Sequence, residues 1–401
     1  MRPNLLPLLM FMVLLSPMAI DIYLPSMPVM ATEFGVSASD VQSTLVLFLF
    51  AMGVGQIIIG PLADRFGRRP VVLAGISLYV LSSLLAVVVQ DFSYLQLARV
   101  LQGFAACAAS IVVFSAVRDC FSPQESAKVY SYLNGAICVI PALAPTFGGL
   151  LALQFGWRST FMFMALYGLL MLLVVTLRFQ ETRPAHTVSE GPLYRWNRYK
   201  PVLSNSHFMF YALTCMTGMG AILCYVSYSP VWLIDHLGMA ELSFSGLFAL
   251  NAAVNIMACF GAPLVIKRFG NRTTVLLAQG LMLLAAALLV ILHSVLTPQG
   301  LAGALSFMLP MMLLCTGFAL LLGPATSMAL APFGERAGTA TAMLGFIQMS
   351  GASVIAAMIQ QTSLPAPMAV ALVMGGLSGL FIVIMMMNRF GHWHQEPLAH
   401  G

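Results

Sequence analysis

The stretch Gly60-Pro61-Leu62-Ala63-Asp64-Arg65-Phe66-Gly67-Arg68-Arg69-Pro70 lies between two long apolar runs. It crowds four charges into six residues of a chain in which only 8% of residues are charged. Such a segment reads as a short polar turn joining two buried helices. Gly67 permits a tight turn, and Pro70 suits the first turn of the helix that follows. Asp64 can form ion pairs with Arg65, Arg68 and Arg69. Gly60, Asp64, Arg65, Gly67, Arg68 and Arg69 therefore read together as a latch. The competing reading is a basic loop that only sets orientation.

Outward from this turn the chain is almost continuously apolar. Apolar residues make up 60% of it and the mean hydropathy is +0.93. A soluble domain carries roughly 25% charged residues to wet its surface, so most of this surface must face lipid. A spanning helix needs about twenty apolar residues. Only helices or closed barrels satisfy their backbone groups inside a bilayer, and these runs are too long for barrel strands. Spans are expected near 5–30, 41–62, 70–89, 94–117, 127–151 and 159–179, then near 207–234, 242–266, 273–293, 299–328, 336–360 and 366–388. The first run continues past Asp21 to about Met30, too long for a signal-peptide core, so it reads as a retained span.

Charge placement orients the bundle. With the N-terminus in the cytoplasm, sixteen of the 18 Lys and Arg residues fall on the cytoplasmic side, Arg158 falls outside and Arg99 lies within a span. That asymmetry follows the positive-inside rule. The formal charge of +5 thus reads as a membrane signal, and no nucleic-acid partner is expected. The predicted organisation is an N-terminal six-helix bundle over 1–180, a basic cytoplasmic linker over 181–206, a C-terminal six-helix bundle over 207–390 and a cytoplasmic tail over 391–401. An internal echo supports a duplicated unit: Arg65-Phe66-Gly67-Arg68-Arg69 is matched by Arg268-Phe269-Gly270-Asn271-Arg272 after span eight.

Polar residues inside spans are costly and usually functional. Asp21 lies about sixteen residues into span one, within Ser16-Pro17-Met18-Ala19-Ile20-Asp21-Ile22-Tyr23-Leu24-Pro25. Burial and nearby cations pull a carboxyl's protonation in opposite directions, so a cavity aspartate can take up and release a proton as access alternates. The alternatives are a permanent pair with Arg99 or a tilt into the periplasmic interface. Arg99 stands in Leu95-x-x-x-Arg99-x-x-Gln102-Gly103, facing either the bundle interior or, by snorkelling, the interface. In span five, Pro141, Pro145, Gly148 and Gly149 should bend the helix and permit close packing. Tyr23, Asn134, Tyr225, Tyr228, Asn251, Asn255 and Gln348 are candidate cavity residues, each equally readable as a helix-to-helix contact. The seven cysteines have no metal-ligand spacing and read as packing residues. No metal, cofactor or nucleotide-binding loop is expected, which disfavours an enzyme and points to an ion gradient as the energy source.

The 60–70 stretch closely resembles the cytoplasmic-loop signature of the major facilitator superfamily. The resemblance implies twelve transmembrane helices in two pseudo-symmetric halves, N-in and C-in, working as a monomer. It implies that Asp64 sits near the N-terminus of span eleven and that the loop arginines meet acids at the end of span four, with Arg118 and Asp119 or Glu125 completing the latch. The Arg99 segment resembles a signature linked to proton coupling. Pro141 to Gly149 resembles the antiporter motif, with Ala144 in place of its glycine. Asp21-Ile22-Tyr23-Leu24-Pro25, Val117-Arg118-Asp119 and Glu181-Thr182-Arg183-Pro184 resemble the Bcr/CflA branch of drug–proton antiporters. The implied activity is export of amphenicols such as chloramphenicol, and of lipophilic cations, across the inner membrane in exchange for protons. A proton-coupled exporter or symporter of a sugar or amino-acid derivative is the alternative on the same scaffold.

Overall fold

The computed structural model describes residues 5–121, 123–184, 196–296, 300–333, 337–387 and 390–394. Arg2, Arg195, Arg336 and Arg389, and the side chains of Glu125, Lys128, Asn134, Cys138 and Arg198, lie outside the described residues. Every regular element among those described is helical. In order they are α1 (Leu5–Val13), α2 (Leu15–Asp21), a 3-10 turn (Leu24–Ser26), α3 (Met27–Phe34), α4 (Ala38–Phe66), α5 (Arg68–Val88), α6 (Phe92–Cys120), α7 (Pro123–Phe155) and α8 (Arg158–Arg178). They continue with α9 (Trp196–Leu203), α10 (Ser206–Pro230), a wide turn (Val231–His236), α11 (Glu241–Leu296), α12 (Gly300–Leu330), α13 (Ala337–Gln360), α14 (Ala366–Met386) and α15 (Gly391–His394). Among the described residues, ten helical stretches are long and apolar enough to cross a membrane.

Large apolar side chains on the outer faces agree with a lipid solvent. On α8, Leu166, Leu169, Leu170, Leu173 and Leu177 are all more than half exposed, at spacings that trace one helix face. The chain divides into two units. The first comprises Met1–Tyr194 with Glu241–Ala249, and the second Arg195–Ala240 with Leu250–Gly401.

Span one is the most broken segment of the first unit. Pro25 has no N–H to donate to the carbonyl four residues back, which is that of Asp21, so the helix opens there. The chain turns through Ile22 and Tyr23 into the 3-10 turn before α3 resumes. Side chains from three other helices bond to carbonyls along one face of the segment leading to this break. Tyr167 of α8 donates to the Phe11 carbonyl at 2.7 Å, Tyr79 of α5 to that of Leu15 at 3.0 Å, and Arg99 of α6 to that of Ala19 at 2.9 Å. Acceptors four residues apart share a helix face, so these donors form a line of supports.

The duplicated motif takes the same backbone shape twice. Gly67 has φ 104° and ψ 161°, joining α4 to α5; Gly270 has φ 77° and ψ 167°, breaking the 56-residue α11. Both values fall in a region essentially open to glycine alone. The echo read in the sequence is thus an echo of local geometry.

Candidate functional site

Asp21 is the last residue of α2 and is only 3% exposed. It makes no ion pair among the described residues. The structure therefore shows no permanent pair with Arg99. Arg99 is 0% exposed and does not snorkel, in line with its reading as a residue facing the bundle interior. Its guanidinium lies 4.7 Å from the Tyr23 ring centre and 4.5 Å from that of Phe48. It donates to the Ala19 carbonyl, two residues before Asp21, and to Gln102 Oε1. Gln102 passes the network on to Ser83 Oγ at 2.8 Å, and Ser83 donates to the Tyr79 carbonyl. Burying a cation costs several kcal/mol. Here two aromatic faces, each worth up to about 2 kcal/mol when desolvated, and two charge-assisted hydrogen bonds offset part of that cost without a carboxylate, and Arg99 Nε is left buried without a partner among the described residues. Arg99 therefore supports the backbone beside Asp21 while leaving the acid unneutralised.

Span five meets span one at this point. A β-carbon on Gly148 would overlap the carbonyl oxygen of Ile22, the residue after Asp21. At Gly149 the nearest atoms, Ser245 Oγ and Pro25 Cβ, leave ordinary room at 3.5 and 3.8 Å. Gly148 thus lets α7 rest directly on the exposed backbone of the break. Pro145, whose ring removes another backbone donor, offers its carbonyl to Ser245 Oγ at 3.2 Å.

The charged turn is held by more than its own residues. Arg68 is 2% exposed and bridges Asp64 at 2.7 Å and Asp119 at 3.0 Å, with Asp119 itself 5% exposed. Arg118 is peripheral, 56% exposed and 3.7 Å from Asp119. Arg65 lies over its neighbour Phe66, and Gly60 has open space around its Cα. The segment after span six supplies two partners that charge pattern alone did not assign. Glu181 accepts the backbone N–H of Arg68 at 2.8 Å and of Arg69 at 3.1 Å, so it caps the N-terminus of α5. It also accepts from the N–H groups of Thr182 and Arg183, both at 3.0 Å. Burial pushes the Glu181 carboxyl up, but these four backbone donors outweigh it and hold the group below the usual glutamate range. Arg183 reaches the other side of the turn and donates to the carbonyls of Asp64 and Arg65, the last turn of α4. An anion on a helix N-terminus and a cation on a helix C-terminus both match the helix dipole. A β-carbon on Gly67 would run into Glu181 Oε2, so this carboxylate also explains the glycine.

The cavity candidates separate. Tyr23 is 0% exposed and exchanges a hydrogen bond with Thr44 Oγ1 at 3.1 Å, so it serves the interior of the first unit. In the second unit, Asn251 Nδ2 donates to the Tyr225 hydroxyl at 3.0 Å, and the Tyr225 ring lies 6.4 Å from that of Phe307. The Oδ1 atoms of Asn251 and Asn255 are buried without a partner among the described residues. Tyr228 and Gln348 are 9% and 8% exposed. The side chain of Asn134 lies outside the described residues.

A bundle of long apolar helices with a carboxylate at an opened helix and a charged turn repeated in both halves defines a membrane transporter. The Major Facilitator Superfamily profile matches residues 9–356, and the chain belongs to that family. It is 31% identical over 388 residues to "Multidrug resistance protein MdtL" of Klebsiella pneumoniae subsp. pneumoniae, covering 96% of each chain. It is 34% identical over 343 residues to the protein of the same name from Salmonella paratyphi A, covering 85% of this chain and 84% of the relative. Among solved structures, a D-xylose–proton symporter superposes with a TM-score of 0.74 at 15% identity, over 95% of this chain and 96% of that one. A bacterial homologue of the human lysosomal transporter Spinster, inward-facing and unoccupied, superposes with a TM-score of 0.73 at 16% identity over the whole of both chains. These distant structures share the fold. The protein is a multi-pass bacterial inner-membrane transporter and not an enzyme.

Proposed function

We propose that this chain is a proton-coupled antiporter that exports small drug-like compounds, with twelve spans, both termini in the cytoplasm and two six-helix halves working as a monomer. Relatives named multidrug resistance proteins support the export role. Amphenicols such as chloramphenicol, and lipophilic cations, are the substrate classes to test. The observation that carries the coupling is the placement of Asp21: a buried carboxyl with no ion pair among the described residues, at a helix opened by Pro25, with the span-five Gly148 against the next residue. Protonation from the periplasm and release to the cytoplasm would favour opposite access states, and substrate would exchange against the proton. Each ligand shifts the states only by its differential affinity for them. Arg99 acts as a positioning residue that holds Ala19 and Tyr23. The Asp64–Arg68–Asp119 cluster stiffens the cytoplasmic turn, and Tyr225, Asn251 and Asn255 contribute to substrate binding.

The test is transport by purified protein in liposomes with an imposed pH gradient, using labelled chloramphenicol and a labelled lipophilic cation. Antiport requires uphill accumulation in acid-loaded vesicles that an uncoupler abolishes, and Asp21→Asn should remove the uphill component while leaving downhill exchange. An Asp21→Asn protein that still builds full gradients would remove Asp21 from coupling. The same fold also carries a protein described as a proton symporter. Uptake of a sugar or amino-acid derivative down an inward proton gradient would therefore replace antiport with symport.

A further inference from the structure

We infer that the first unit carries a specific site for an anionic phospholipid, in the groove between α1 and α8 on its lipid-facing side. The groove encloses about 400 Å³. From α1 it is lined by Pro7, Leu8 and Phe11, and from α8 by Tyr167, Leu170, Met171 and Val174, with Arg178 at one end. From Tyr167 to Arg178 is eleven residues, about 16 Å along a helix at 1.5 Å per residue. That is about half of the roughly 30 Å hydrocarbon thickness, so the groove runs the depth of one leaflet.

Its construction follows from the broken first span. The Tyr167 hydroxyl, directed at the Phe11 carbonyl, is spent on the α1 backbone. The remaining wall is aliphatic or aromatic, and Leu170 is 53% exposed. In a bilayer such a surface is covered by an acyl chain, because no water reaches it to fill the space. The charge at the end selects the headgroup. Arg178 is exposed on the last turn of α8 and makes no ion pair or hydrogen bond among the described residues. Arg69, which also reaches the end of α8, is already engaged with the Thr176 carbonyl. A free guanidinium at the headgroup end of a one-leaflet apolar groove matches a phosphodiester with net negative charge on a diacyl tail. Basic pockets between membrane helices are recognised sites for such lipids. A zwitterionic lipid offers the same tail but cancels its own charge.

The experiment uses the full-length protein in detergent–lipid micelles with photoactivatable phosphatidylglycerol or phosphatidylethanolamine carrying a diazirine in the acyl chain. Cross-linked peptides are mapped by mass spectrometry. Phosphatidylglycerol should label α1 and the 167–178 stretch about fivefold more than phosphatidylethanolamine, since one Arg near a charged headgroup is worth about that factor. Arg178→Gln should bring the two lipids level, and Leu170→Trp should reduce labelling by both, with thermal unfolding confirming that each variant is folded. Equal labelling by the two lipids in the parent, or an undiminished preference in Arg178→Gln, overturns the site. So does full competition by soluble glycerol 3-phosphate, which would make the ligand a free phosphoester.

Discussion

The Arg69 guanidinium donates to the carbonyl of Thr176 at 2.9 Å, tying the charged turn to the end of α8. Arg272, its counterpart in the second motif, donates to the carbonyl of Met385 at 3.1 Å, at the end of α14. Each motif is thus fastened to the last turn of a later helix of its own unit, α8 in the first and α14 in the second. A cation near a helix C-terminus satisfies carbonyls that have no intrahelical donor. The two halves part at the other positions. Asp64 and Arg68 form a buried cluster with Asp119, whereas Lys267 and Asn271 occupy the matching sites.

That divergence sets a paired prediction for the two glycines. Gly67→Ala and Gly270→Ala should each lose about 1–3 kcal/mol to backbone strain. Gly67→Ala should lose more, because the new methyl also displaces Glu181, while a methyl at Gly270 would meet no packing neighbour within 4 Å. Thermal unfolding in detergent checks this, and equal losses would mean that Glu181 contributes nothing.

The Glu181 cap has a pH signature. A carboxylate held below its ordinary range stabilises the folded state fully above the ordinary value of 4.5 and loses that contribution as pH falls through its depressed value. The unfolding-temperature gap between the parent and Glu181→Gln should therefore be constant at neutral pH and close under acid conditions. A gap that persists in acid would exclude the charge as its cause.

Buried and exposed members of the charged cluster should differ in weight. Asp119→Asn leaves Arg68 inside with one ionised partner, and breaking a buried pair costs about 3–5 kcal/mol. Asp64→Asn should cost less, since its side chain is 33% exposed. Arg118→Ala, on a 56% exposed side chain, should stay within about 1 kcal/mol. Urea or thermal unfolding of the three variants gives the order.

The support of span one is open to a conservative test. Tyr79→Phe keeps the ring and removes the side-chain bond to the Leu15 carbonyl, which should cost about 0.5–1.5 kcal/mol. Arg99→Lys keeps a charge but cannot reproduce the fork or the stacking between Tyr23 and Phe48. We expect it to fold and to lose roughly tenfold or more in transport rate, as misplaced groups do. Transport at the parent rate would show that a point charge suffices.

Span five carries the sharpest contrast. Gly148→Ala should abolish transport by lifting α7 off Ile22, whereas Gly149→Ala should be tolerated, its nearest neighbour being 3.5 Å away. Vesicle transport with matched protein levels distinguishes them.

Much of this was legible in the sequence because a bilayer leaves few options. Runs of about twenty apolar residues with one-sided basic loops announce membrane helices. Asp21 and Arg99 stood out because ionisable residues are rare in such runs. The partnerships were less visible. Glu181 caps a helix whose first N–H lies 113 residues earlier, and Tyr167 reaches a carbonyl 156 residues away. Neither pairing leaves a periodic trace, and the backbone acceptors carry no residue-type signal at all. Arg99 is readable in the sequence as facing the bundle interior, but the backbone, amide and aromatic partners it meets there leave no trace in the residue pattern.

The line of supports on span one has a mechanical consequence. Phe11, Leu15 and Ala19 hand their carbonyls to α8, α5 and α6. Sliding or twisting that segment alone would strip all three bonds at once inside a medium that offers no replacement. The segment bearing Asp21 is thus geared to its neighbours, and any displacement of the acid must carry the surrounding helices with it as one lever.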